Sequence, residues 1–139
     1  MYNDSFFLDI EPPTVTAQQK GVKIIRSGGK MRPLFYEKDE VKKAREQLRI
    51  ALTPHKPKEP IEGAVELCVT WFFKTKNKKR DGTFRTTRPD TDNIQKLFKD
   101  VMTEVGFWKD DSQVCIEAVM KRWALSPGIS VTVMEVEDG

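Results

Sequence analysis

The chain has 139 residues, 38% hydrophobic and 32% charged, with a formal net charge of +3. That length builds one domain with its own core rather than two independent ones, so residues 1–139 are read as a single unit. No run approaches the roughly 18 apolar residues a membrane helix needs, and no charged-then-apolar leader opens the chain; a cytoplasmic protein without a membrane partner is expected.

Phe6 to Ile10 reads as a short strand stopped by Pro12-Pro13. Val22 to Arg26 and Pro33 to Tyr36 flank Ser27-Gly28-Gly29-Lys30, a hairpin signal. Between Lys38 and Leu52, the residues Val41, Ala44, Leu48, Ala51 and Leu52 recur at helical spacing. Thr53 to Pro60 holds three prolines and serves as a connector. Ala64 to Phe73 is the clearest strand, with Val65, Leu67, Val69, Trp71 and Phe73 alternating onto one face. A second helix is predicted from Thr91 to Val105, with Ile94, Leu97, Phe98, Val101, Met102 and Val105 in one stripe and Gly106 as its left-handed stop. Val114 to Trp123 and Ile129 to Val136 read as a final hairpin around Ser126-Pro127-Gly128. The predicted fold is therefore α+β: a mixed sheet packed with two principal helices, in the order β, β-hairpin, α, β, basic loop, α, β-hairpin.

Charge is unevenly spread. Lys74 to Arg88 carries seven basic residues, Lys74, Lys76, Lys78, Lys79, Arg80, Arg85 and Arg88, against Asp81 alone, a local +6; the remaining 17 basic and 20 acidic residues sum to −3. Such a segment suits a polyanion, and it is expected as a flexible loop with Asp81-Gly82 at its turn, its cations contacting phosphates. Phe84 within it is a candidate wedge or stacking residue at a nucleic-acid branch, balanced against a plain exposed aromatic. Trp71, Trp108 and Trp123 are expected in the core or an interface, and His55 at the surface. Cys68 and Cys115 lie far apart without a CxxC pair, so reduced packing residues are expected and no zinc site is.

The segment Arg88 to Val114, RPDTDNIQKLFKDVMTEVGFWKDDSQV, carries the chemistry. Asp90 and Asp92 stand at the mouth of the second helix, Lys96 one turn in, and Asp110-Asp111 just past its end. If the strand after Asp111 pairs beside the helix start, these groups converge on one small volume. Hard oxygen donors gathered beside a cation suit a Mg²⁺-dependent reaction on a phosphate. Each residue alone has a structural alternative: Asp92 as an N-cap, Lys96 as a solvated lysine, Asp110-Asp111 as a turn. Their combination beside a basic arm favours cutting nucleic acid.

The same segment resembles the signature of RusA-type Holliday junction resolvases, small phage and prophage endodeoxyribonucleases. That pattern runs from a basic stretch to Asp-x-Asp-Asn, a lysine four residues after the second aspartate, and a later glycine with an Asp-Asp pair. Here it falls on Asp90, Asp92, Asn93, Lys96, Gly106, Asp110 and Asp111, and Asp100 matches a further acid common in this helix. The resemblance implies Asp90, Asp92 and Asp111 as metal-holding catalytic acids, with Lys96 beside them and Asn93, Asp100 and Asp110 supporting. It implies a homodimer that makes paired, symmetric cuts in a four-way DNA junction with Mg²⁺ or Mn²⁺. One acidic cluster per chain and two strands to cut also argue for two copies. Thr14 to Lys20 differs from many members, which carry an asparagine and an arginine there. Two other readings compete: a non-catalytic branched-DNA-binding protein, and a metal-dependent nuclease acting on other nucleic acids.

Overall fold

The alternation Val65, Leu67, Val69, Trp71, Phe73 sends five side chains to one face of a strand, and all five are buried. The computed structural model, which describes residues 1–15 and 20–138, is organised around that strand. In chain order the elements are β1 (Asn3–Leu8), β2 (Lys20–Ser27), β3 (Lys30–Glu37), α1 (Asp39–Leu52), β4 (Ala64–Lys74), α2 (Thr91–Val105), β5 (Val114–Ala124) and β6 (Gly128–Val136). Single 3₁₀ turns occupy Thr53–His55, Lys78–Arg80 and Asp111–Gln113. Of the Thr14 to Lys20 segment, residues 16–19 lie outside the described residues.

The predicted class holds: a mixed four-stranded sheet in the order β1-β6-β4-β5, with β2-β3 as a separate pair. The two helices cover one face of the sheet. Val41, Ala44, Leu48 and Leu52 of α1 and Ile94, Leu97, Phe98, Val101 and Met102 of α2 are buried, most of them in one cluster with the inward side of β4. Trp71 meets Phe98 edge-on at 5.1 Å between ring centroids, and its indole N–H donates to buried Gln95 at 3.1 Å. Trp108 is buried and Trp123 half-buried, as expected of core residues. Cys68 and Cys115 are both free, the second exposed rather than packed. His55, expected at the surface, is half-buried and stacks on Phe6 with centroids 4.3 Å apart.

The last two strands are not the hairpin that their short Ser126-Pro127-Gly128 link suggested. β4 lies between them, parallel to β5 (Trp71 opposite Lys121) and antiparallel to β6 (Trp71 opposite Ile129). The cause is α2. A helical crossover returns the chain parallel to the strand it left, so β5 takes the free edge of β4 and β6 must take the other side. The link then steps over the end of β4, roughly 10 Å across two strand spacings, which three extended residues span.

Phe98 is fully buried against Trp71. Phe98→Ala is expected to lower unfolding free energy by about 3–5 kcal/mol; urea titration followed by tryptophan fluorescence measures it.

Candidate active site

The start of α2 is held from β5. The Lys121 ammonium donates to the carbonyls of Thr87 and Pro89 at 2.7 Å each. Pro89 is buried, and the Arg88–Pro89 peptide is cis. Asp90 is the N-cap residue, with ψ 146°, yet its side chain makes no capping bond. Asp92, weighed above as a possible N-cap, sits inside the first turn, and one of its oxygens accepts the Asn93 N–H at 3.0 Å. Both carboxylates are exposed, and neither forms an ion pair among the described residues. Asp92 opens onto a 270 Å³ hollow with Gln95, Lys99 and Glu117, the last two paired at 3.2 Å. At its edge the Gln95 amide, oriented by the Trp71 N–H donating to its oxygen, has a buried nitrogen without a partner among the described residues. An N–H donor there has the polarity to meet an oxygen of a carboxylate or phosphate, not a cation.

At the other end Gly106, at φ 101°, stops the helix in the left-handed conformation, and Phe107 and Trp108 bury themselves behind it. Asp110 then caps the Asp111–Gln113 turn, accepting the Ser112 N–H at 2.9 Å, while the Gln113 side chain accepts the Asp110 N–H at 3.1 Å. The Ser112 N–H holds the Asp110 carboxyl below its usual range. Asp111 is half-buried and shares an open cavity of 320 Å³ with Arg45, Asp100, Glu104, Lys109 and Asp110.

The expected convergence does not occur within one chain. Asp90 and Asp92 lie at one end of a 15-residue helix and Asp110-Asp111 at the other, roughly 22 Å apart along its axis. Convergence required the chain after Asp111 to return to the helix start before the strand began. Instead the strand itself makes that journey: Val114 pairs beside Val65 at the near end of β4, and only Lys121 reaches Pro89. Among the described residues no three acidic groups are gathered closely enough to hold an ion. The carboxylates have the donor chemistry for Mg²⁺, but in a single chain they form two half-sets. Lys96, expected beside Asp92, pairs with Asp100 at 3.8 Å. Asp100 thereby links Lys96 to the Asp111 cavity.

The basic arm also differs from expectation. Rather than hanging free, it is tied along β5: Gly82 N–H to Trp123 O at 2.8 Å, Trp123 N–H to Thr83 O at 2.8 Å and Arg85 N–H to Lys121 O at 2.9 Å. The Asp81 carboxylate, its one acid, accepts the Leu125 N–H at 2.9 Å. Arg85 is engaged internally, its guanidinium 4.4 Å from the Phe73 ring and 4.5 Å from that of Trp123. Burial lowers its pKa from the ordinary arginine value. Phe84 is exposed, its ring backed by Arg122 at 4.2 Å. Lys74, Lys76, Lys78, Lys79, Arg80 and Arg88 are exposed around this frame. Arg45, Gln95 and Lys121 escaped sequence reasoning, since each looks like an ordinary helix or strand residue until the elements pack.

The matched class is that of DNA endonucleases. A family model described as Endodeoxyribonuclease RusA matches residues 11–134, which include the arm and every acid discussed. The Crossover junction endodeoxyribonuclease rusA of Lactococcus phage r1t is 37% identical over 111 residues, 78% of this chain and 80% of the phage protein. The Uncharacterized protein YqaN of Bacillus subtilis (strain 168) is 31% identical over 103 residues, 66% of this chain and 72% of that protein. The chain belongs to the RusA endodeoxyribonuclease family.

Because the folded pKa of Asp110 is depressed, its cap contributes fully above the unfolded carboxyl value and is lost as pH falls through the folded one. Carboxyl ¹³C titration is expected to give Asp110 a midpoint below that of ordinary aspartates, and Ser112→Pro, which removes the N–H, to raise it.

Proposed function

We propose that this chain is a Mg²⁺-dependent, structure-selective endodeoxyribonuclease that resolves four-way DNA junctions by paired symmetric cuts during recombination and repair, acting as a homodimer. The carrying observation is the pair of exposed carboxylates at the start of α2, without an ion pair among the described residues and neither used as a cap, beside a cationic arm in a member of this nuclease family. Crossover junction cleavage is the activity named for the phage relative.

Two half-sets at opposite helix ends become one set when a second copy supplies the missing half. In this reading Asp90 and Asp92 of one copy and Asp111 of the other hold the ion, and two-fold symmetry yields two identical sites. Mg²⁺, or Mn²⁺ in its place, supplies Lewis acidity that polarises a phosphate and makes water a usable nucleophile near neutral pH. The chain's own groups do the rest. Lys96, exposed and only loosely paired with Asp100, offsets charge on the bound phosphate. The Gln95 amide nitrogen, without a partner among the described residues, orients an oxygen beside Asp92. The exposed cations of the arm hold the backbone without reading sequence. A non-catalytic DNA-binding protein is the second reading, favoured by the lack of a three-acid group among one chain's described residues. Loss of junction cleavage in EDTA, with binding retained, separates the two.

Asp90→Asn and Asp111→Asn are each expected to abolish cleavage while leaving junction binding intact. Co-expressed, they restore it: mixed dimers carry one site with both lesions and one with neither, so random pairing gives about a quarter of wild-type nicking. No recovery in the mixture would mean that the acids do not work across copies.

Exchanging Lys78, Lys79 and Arg80 for glutamate is expected to weaken junction binding and flatten the log Kd against log[salt] slope by roughly one unit for each phosphate no longer neutralised. Arg85→Ala, at a stacked position, should instead lower the melting temperature.

A further inference from the structure

Between the Arg85 N–H and the Asp90 carbonyl the chain makes no backbone–backbone hydrogen bond among the described residues. That stretch joins the cationic arm to the first turn of α2, so its course decides where the acids stand relative to the cations. A stretch with neither a ladder nor a helical turn keeps its conformational freedom unless something else removes it. Here side chains remove it.

Lys121 does most of this. Its backbone carbonyl accepts the Arg85 N–H at 2.9 Å, and its ammonium donates to the carbonyls of Thr87 and Pro89 at 2.7 Å each. One residue of β5 thereby grips the connecting stretch at alternate positions, 85, 87 and 89. The carbonyl left between them, that of Arg88, accepts from the Arg85 guanidinium, which also donates to the Thr87 hydroxyl at 3.2 Å. The grip is anchored in the sheet, since Lys121 stands opposite Trp71 of β4 and the Arg85 guanidinium lies against Phe73 and Trp123.

Satisfying buried polar groups does not explain this arrangement. Thr87 and Arg88 are exposed, and water hydrogen-bonds an exposed carbonyl nearly as well as an amine does. Nor does a carboxylate draw Lys121 there, because it forms no ion pair among the described residues. What water cannot supply is position: one ammonium on two carbonyls sets both at a fixed distance from β5. Pro89 is followed directly by Asp90, so any drift of the Pro89 carbonyl is passed to the first acid.

We infer that Lys121 is a positioning residue of the nuclease: through the carbonyls of Thr87 and Pro89 its ammonium holds Asp90 and Asp92 at a fixed offset from the arm. DNA gripped by the arm then presents the bond to be cut where the acids stand. This rests on the reading of those acids as the holders of the ion, and adds the residue that aims them. The effect falls on the reaction of bound DNA rather than on affinity.

Lys121→Met keeps the stem and removes the donors. With protein in excess over a four-way junction and Mg²⁺ present, its single-turnover cleavage rate is expected to fall at least about 100-fold, the cost of an ångström-scale misplacement. The junction dissociation constant without metal should stay within about threefold, a loss in the reaction and not in binding. Relaxation of ¹⁵N reads the geometry apart from cleavage. In wild type the amide order parameters of Arg88 and Asp90 are expected near the roughly 0.85 of rigid backbone, and in Lys121→Met below about 0.6, with the amides of β4 unchanged. Should the variant misfold, the wild-type values carry the test, because a loose Arg88 and Asp90 in the native chain means that no grip exists. Wild-type cleavage in the folded variant overturns the inference. So does a loss of cleavage matched by an equal loss of binding, which makes Lys121 a DNA contact. Slow cleavage with unchanged order parameters overturns it as well, since Lys121 then acts on the phosphate directly. A wild type that never cuts junctions, with Asp90 loosened in Lys121→Met, leaves the brace standing and sinks the nuclease reading alone.

Discussion

The packing of the α2 stripe onto the inward face of β4 dictates the layout of this protein. Ile94, Leu97, Phe98 and Val101 have one way to be covered, against Val65, Leu67, Val69 and Trp71, and Phe98 meeting Trp71 edge-on sets the contact. A helix so placed between two parallel strands must run opposite to both. Its first turn therefore stands over the far ends of β4 and β5 and its last turn over their beginnings. Chemistry written at the two ends of α2 is carried to two ends of the molecule.

Electrostatics follows the same geometry. The carboxylates at the start of α2 sit in the positive end of the helix field, where ionised acids are favoured even without a counter-ion. Past its end the Ser112 N–H serves Asp110, while Arg45 and Lys109, which line the cavity shared with Asp111, are paired with Glu37, Glu104 and Glu62. The cationic arm is brought to the first end by the aromatics of the sheet. Arg85 between Phe73 and Trp123, with backbone bonds to β5, stiffens a segment whose charges repel one another. A pinned arm presents its remaining cations without the entropy loss of ordering a loose loop on each binding event.

The elements were readable because their periods were clean: β4 alternates strictly, and α2 carries an apolar stripe bounded by Asp90 and Gly106. The motif was readable too, as residue types in order. Its assembly was not. Local sequence does not say that β5 pairs parallel to β4, which is decided by the crossover and leaves β5 and β6 without a shared edge. The Ser126-Pro127-Gly128 link has the chemistry of a hairpin turn and serves a strand skip, because turn propensity acts over a few residues and pairing over dozens. Gln95 and Lys121 were invisible for the same reason: a glutamine in a helix and a lysine in a strand acquire roles only when Trp71 and Pro89 arrive beside them.

The separation of Asp111 from Asp90 and Asp92 bears on how such a fold can be regulated. A complete acidic set within one chain would be ready to act on any DNA within reach. Dividing it along the full length of a helix leaves each chain with half, and no side-chain motion closes roughly 22 Å. On the dimeric reading proposed above, competence depends on assembly, and the geometry of assembly fixes the spacing and relative direction of the two sites. A four-way junction offers symmetry-related phosphates at a set distance, so a two-fold pair of divided sites is matched to it in a way that one complete site is not.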